Sequence, residues 1–141
     1  MVYTDGHVEK TGVYMRQMVD DFYTDMVPYA SLSLIEIFDL IKNIPYRCDP
    51  QEAEVLMRPL YTMNMMGYGG DCDDKSIALA SYCKLKNIPC KFVAVRSVDR
   101  DTFHHVFCYI FIGGMWMAAD PTYNFNSLGW QRKQYAEYAI I

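Results

Sequence analysis

Residues 69–90, "GGDCDDKSIALASYCKLKNIPC", hold the reading of this chain. Two glycines lead into an acidic step, and an apolar periodic run then continues to a stop at Asn87-Ile88-Pro89. Asp71 is a good N-cap and Asp74, three residues on, its reciprocal partner, so a helix is predicted from Cys72 to about Lys86. Lys84 and Lys86 suit its negative dipole end. Cys72 therefore occupies the first helical position. The unpaired amides and positive dipole end there favour a thiolate, whereas the carboxylates of Asp71 and Asp73 oppose one. A sulfur under such opposed influences reads as a tuned nucleophile. Asp71 and Asp73 are expected to serve the helix end, pointing away from the thiol into a solvated first turn.

Working outward, three strands are predicted after the helix: Lys91 to Ser97, Phe103 to Ile112 and Met115 to Asp120. Val106 to Ala119, "VFCYIFIGGMWMAA", contains no charge, yet it is shorter than the roughly 18 apolar residues that cross a bilayer. Gly113-Gly114 at its centre signals a tight two-residue hairpin. Upstream, helical spacing predicts one helix over about Thr11 to Met26 and another from Ser31 to about Asn43, ended by Pro45. Gln51 to Leu56, with Pro50 at its start, reads as a short helix. "MRPLYTMNMMGYGG", residues 57–70, reads as a loop, its methionines suited to a cleft or to core packing. The tail from Gly129 to Ile141 reads as a short helix or an edge element. Helices followed by an antiparallel sheet define an α+β domain.

The chain has 141 residues, which suits a single domain spanning residues 1–141. Hydrophobic residues at 52% and charged residues at 21% exclude a disordered chain. A net charge of -4 with no basic block points away from nucleic acid and anionic membranes. The five cysteines are an odd number without framework spacing, and the first residues lack the apolar core of a signal peptide. Free thiols in a reducing, cytoplasmic setting are the expectation.

A nucleophilic thiol needs a base, and the chain offers His7, His104 and His105. If Gly113-Gly114 is a two-residue turn, Ile112 faces Met115 and the register sets Phe107 opposite Asp120. Paired residues share a face, so His105 shares the face of Asp120 while His104 points the other way. Cys72, His105 and Asp120 thus fill the roles of nucleophile, base and orienting carboxylate. His104 reads as structural or solvent-facing, and His7 as part of a mobile end. Cys83, Cys90 and Cys108 read as core thiols. No Cys-x-x-Cys or close His pair suggests zinc, the bunched Asp71, Asp73 and Asp74 do not form a calcium loop, and no cofactor is implied.

The runs "GDCDDKSIALASYCKLKNIPCKFVAV" and "HVFCYIFIGGMWMAADPTY" together resemble the core of the transglutaminase-like superfamily, relatives of papain-like cysteine peptidases. The resemblance rests on Gly-x-Cys at a helix start, the Asn87-Ile88-Pro89 turn, His105-Val106-Phe107 on a strand, and Trp116 with Asp120-Pro121-Thr122. It covers residues 67 to 123. It implies helices packed on an antiparallel sheet and a catalytic apparatus of Cys72, His105 and Asp120. Phe107 stands where a Trp is common, and Asn87 where Gly is usual. The second oxyanion donor is open among Asn64, Tyr68 and Tyr46, with Trp116 a further substrate-side candidate. The expected function is a thiol-dependent hydrolase or acyltransferase acting on amide carbonyls of a protein or peptide substrate, with hydrolysis favoured. Its rival is a non-catalytic binding or assembly module. Small proteins of this type resemble those of bacterial and phage genomes.

Overall fold

The structure, a computed structural model, describes residues 5–48, 55–64, 69–132 and 135–141. Helix α1 spans Asp5–Phe22 and passes into a 3-10 segment, Tyr23–Tyr29. It starts earlier than periodicity predicts because Val8, in the first turns, is buried against Ala94 and Phe103. Helix α2, Leu34–Lys42, is narrower than expected at both ends. Ser33 and Glu36 close a capping box at its start, and Asn43 caps its end. Helix α3, Pro59–Thr62, is a single turn inside the stretch expected to be a loop, with Pro59 in the first helical position. The helix expected over residues 51–56 falls largely outside the described residues, as do Met65, Met66 and Tyr68 and the side chain of His7. Met63 packs into the core.

Helix α4, Cys72–Leu85, is capped as its sequence demands. The Asp71 carboxylate accepts from the amides of Asp73 and Asp74, while the Asp74 carboxylate accepts from the amide of Asp71. At the far end Asn87 takes a positive φ of 57°, which Asn tolerates better than most residues. Every residue from Cys72 to Cys83 is buried, because α1, α2, α3 and the sheet enclose the helix. Beyond its charged first turn the helix is mostly apolar or small, which suits such a centre. Ile77, Leu79 and Tyr82 share one buried cluster with Met15, Phe38 and Ile41 of the helices and Val106, Cys108 and Ile110 of the sheet.

The sheet comprises β1 (Cys90–Ser97), β2 (His105–Ile112), β3 (Met115–Ala119) and β4 (Tyr135–Ile140), in the order β3-β2-β1-β4. All neighbours are antiparallel. Gly113 and Gly114 both adopt positive φ, 59° and 84°, as a primed two-residue turn requires. The β2–β3 ladder runs from Ile112–Met115 to Cys108–Ala119, the expected register, and its continuation sets Phe107 opposite Asp120. β2 begins at His105 rather than Phe103, and β3 stops at Ala119, just before Asp120-Pro121. The tail supplies an edge strand, β4, on the outer side of β1. Helices on an antiparallel sheet make this an α+β fold.

Candidate active site

Where the N-terminus of α4 meets the start of β2 and the end of β3, a cleft of about 640 Å³ opens. Cys72, His105 and Asp120 all line it. His105 opens β2 and Asp120 follows the last residue of β3, so the hairpin register brings the two side chains together: His105 Nε2 lies 2.7 Å from Asp120 Oδ2. Asp120 is further fixed by the Thr122 amide, which donates to Oδ1 at 3.1 Å, and by Asn126 Nδ2, which donates to its carbonyl at 2.9 Å. Burial pushes the Asp120 carboxyl up, but His105 and the Thr122 donors outweigh it, so its pKa falls below the ordinary carboxylate range. An ionised Asp120 holding Nε2 leaves Nδ1 of His105 as the nitrogen able to take a thiol proton.

Cys72 is 2% exposed, and its sulfur receives the backbone N–H of Val106, next to His105. The cap carboxylate takes the amides of Asp73 and Asp74. The first turn differs from expectation in two ways. Asp71, Asp73 and Asp74 are buried rather than solvated, at 1%, 0% and 1% exposure. Asp73 does not point away from the thiol; its Oδ1 lies 3.7 Å from Sγ, in position to accept from it. Burial first, then the charges of Asp73 and Asp71, raise the Cys72 thiol well above its ordinary pKa, against the Val106 N–H. These influences favour the neutral thiol at rest. The Asp pair bends into the protein because α3 and the 55–58 segment cover this end of α4; the Met57 amide donates to Asp74 Oδ1 at 2.9 Å.

Tyr46 lines the cleft beside Cys72. Its segment is clamped to the glycines of the opening stretch: the Gly70 amide donates to Pro45 O at 3.1 Å and the Arg47 amide to Gly70 O at 3.0 Å. Gly69 makes this approach possible. It has φ 65°, and a Cβ there would stand 2.5 Å from the Pro45 carbonyl oxygen. Burial and the nearby Cys72 raise the Tyr46 hydroxyl pKa, so the phenol stays a donor. Of the other candidates, Asn64 and Trp116 do not line the cleft. Trp116 packs on Phe111 with Lys91 over its ring. Tyr68 lies outside the described residues.

Several cleft residues gave no sign in the sequence. Tyr123 stacks between Tyr46 and Phe125, with ring centroids 5.7 Å and 5.3 Å away, and parallel to His105 at 6.3 Å. Trp130 and Arg132 reach the cleft from the tail, and Arg100 from the β1–β2 connection. Tyr123 directly follows the Asp-Pro-Thr run, the one cue that pointed near it. His104 also borders the cleft, held by Ser97 Oγ at 3.1 Å from its Nε2 rather than by Asp120. Among the described residues no cluster of His, Cys, Asp or Glu is arranged to hold a metal, and no helix is long and apolar enough to cross a membrane.

Residues 20–121 match the transglutaminase-like superfamily, and the chain belongs to that family. Its members are typically cysteine proteases and acyltransferases. Among solved structures it is similar to a protein of Cytophaga hutchinsonii provisionally named a cysteine protease, with 18% identity and a TM-score of 0.53. The alignment covers 87% of this chain and 46% of that one, so the chain spans less than half of that protein's length. A search of the curated proteins found no match.

Proposed function

We propose that the protein is a thiol-dependent hydrolase acting on amide carbonyls of peptide or protein substrates, or an acyltransferase of the same mechanism. The observation that carries this is the sharing of one cleft by Cys72 and the hydrogen-bonded His105–Asp120 pair. Cys72 begins neutral, so attack is coupled to transfer of its proton to His105 Nδ1, with Asp120 stabilising the imidazolium. The sulfur adds to the carbonyl carbon, and the oxyanion is met by the Cys72 amide and the Tyr46 hydroxyl. The tetrahedral adduct collapses as His105 protonates the leaving amine, giving an acyl-thioester. Water, deprotonated by His105, then releases the acid; an amine in its place gives transamidation. Hydrolysis is the preferred reading, since water needs no dedicated acceptor site.

The test is mass spectrometry of the protein mixed with a peptide digest of casein, with and without hydroxylamine. New peptide termini, or released ammonia and hydroxamates in the amine's presence, are expected from the native protein and not from Cys72→Ala. A second reading, a binding module that retains the fold, is favoured by the Asp73 carboxylate 3.7 Å from the sulfur, which keeps the thiol protonated. Absence of both turnover and an acyl adduct, with peptides still retained, would establish that reading.

A further inference from the structure

The end of α4 and the start of β1 bring together three thiols that the cleft does not use. Cys90 pairs with Ile110 and Phe92 with Cys108, so Cys90 and Cys108 lie diagonally on one face of neighbouring antiparallel strands. That face meets α4: the Cys108 thiol donates to the Ser76 carbonyl at 3.5 Å, and Cys83 follows Ser76 two turns further along the same side of the helix. The Cys83 and Cys108 sulfurs both lie within hydrogen-bonding reach of the Cys90 sulfur. Cys83 and Cys108 are fully buried, whereas Cys90 is only partly so. Cys90 borders a groove of about 430 Å³ whose charged lining is Arg16, Asp20, Lys84 and Lys91. Lys84 is paired with Asp20 at 2.6 Å, and Lys91 lies over the Trp116 ring.

A half-buried cysteine at the groove edge therefore has two further thiols behind it and a net cationic groove in front. Reactive cysteines occupy surroundings of this kind. The Cys108 and Cys83 hydrogen bonds lower the Cys90 thiol well below its ordinary pKa, against the effect of burial. The direction is opposite to that of Cys72.

We propose that Cys90 is a second reactive thiol, a redox site entered from the groove by a hydroperoxide, with Cys83 as its resolving partner. The Cys90 thiolate attacks one peroxide oxygen. An S–O bond forms, the O–O bond breaks, and the other oxygen leaves as water or an alcohol after protonation. Sulfur loses two electrons to the peroxide and becomes a sulfenic acid. The Cys83 sulfur then attacks it; the S–S bond forms, the S–O bond breaks, and the hydroxyl leaves as water with the Cys83 proton. Cys108 does not resolve. Diagonal positions on paired strands hold their Cβ atoms roughly 7–8 Å apart or slightly less, whereas a disulfide takes about 3.5–4.5 Å. Cys83 stands on a different element and is free of that spacing. The bridge would tie the end of the Cys72-bearing helix to β1. Neither step involves Cys72.

The test treats the native full-length protein with limiting hydrogen peroxide, with dimedone present to trap sulfenic acid, followed by peptide mapping. Monomer lighter by two hydrogens, with a Cys83–Cys90 disulfide, is expected. Cys83→Ser should stop at a dimedone adduct on Cys90, and Cys90→Ser should give neither product. Cys83→Ala, which adds no polar group at a buried position, serves if the serine variant does not fold. Oxidation of the exposed Cys48 ahead of Cys90, a Cys90–Cys108 bridge, or an unmodified Cys90 would each overturn the proposal.

Discussion

Lys75, in the first turns of α4, is 1% exposed and directs its ammonium at three backbone carbonyls. Nζ donates to Ile44 at 2.6 Å and to Thr122 at 2.9 Å, with Lys42 at 3.5 Å. It thereby ties the chain that leads to Tyr46 to the turn between Asp120 and Tyr123, the two walls of the cleft. Lys75→Met preserves the length and the apolar stem and removes every donor. Two well-formed bonds disappear, and each buried carbonyl left unpaired costs about 1–3 kcal/mol. The gross loss is thus about 2–6 kcal/mol, offset in part because an ammonium no longer has to be buried. A net destabilisation of about 2–4 kcal/mol is expected. Urea unfolding at about pH 7 reads it, as a fall in midpoint of about 1–2 M for a typical slope.

The pH dependence supplies an independent check on the same residue. Burial lowers the Lys75 pKa from 10.5 to about 8, with the Asp120 charge opposing. Between those values the unfolded chain holds a proton that the folded protein has released, so this group makes stability rise with pH across the window. Below about 8 both states are protonated and the dependence vanishes. The Lys75→Met variant should lack that rise. A variant within about 0.5 kcal/mol of the native protein, the usual range for substitutions away from such features, would refute the role assigned to Lys75.

Asp73→Asn removes the carboxylate nearest the Cys72 sulfur and should lower the thiol pKa, read as a downward move in the midpoint of thiolate ultraviolet absorbance in a protein with the other cysteines replaced. No movement would mean that burial alone sets the thiol. His105→Ala should reduce turnover about 10²–10⁴-fold, the usual scale for losing a general base, while His104→Ala should leave it nearly intact. Equal losses would contradict the pairing of His105 with Asp120. Asp74, raised to about 9 by burial and then by the Asp71 charge, is protonated at neutral pH. It binds a proton in the folded state that the unfolded chain releases near 3.8, so its contribution to stability falls as pH climbs toward about 9. Asp74→Asn, which keeps both donor and acceptor, should cost less than about 1 kcal/mol near neutrality and remove that decline in urea titrations.

Much of the fold was legible because its signals are local. The Asp71–Asp74 box, the glycine pair at 113–114 and the Ile88-Pro89 stop act within a few residues, and each specified its element. The hairpin register followed from loop length alone, and with it the choice of His105 over His104 as the partner of Asp120. Errors gathered where tertiary contacts override local preference. Packing of Val8 extends α1, and Pro59 nucleates a turn in a stretch without periodicity.

What only the tertiary structure decided is the electrostatics of the thiols. An acidic first turn reads as solvated in sequence, because charged residues are rarely buried. Here α3 and the chain around Met57 close over it, bringing Asp73 against Cys72 and turning a position that favours a thiolate into one that holds a neutral thiol. Cys90 shows the reverse: an ordinary strand cysteine in sequence, it gains two neighbouring thiols from residues 7 and 18 positions away and a cationic groove completed by α1 and α4. The start of α4 and the β2–β3 register were readable from sequence, since both depend on neighbours along the chain. Proton affinity depends on charges, dipoles and excluded water in three dimensions, and these are defined once the helix is enclosed.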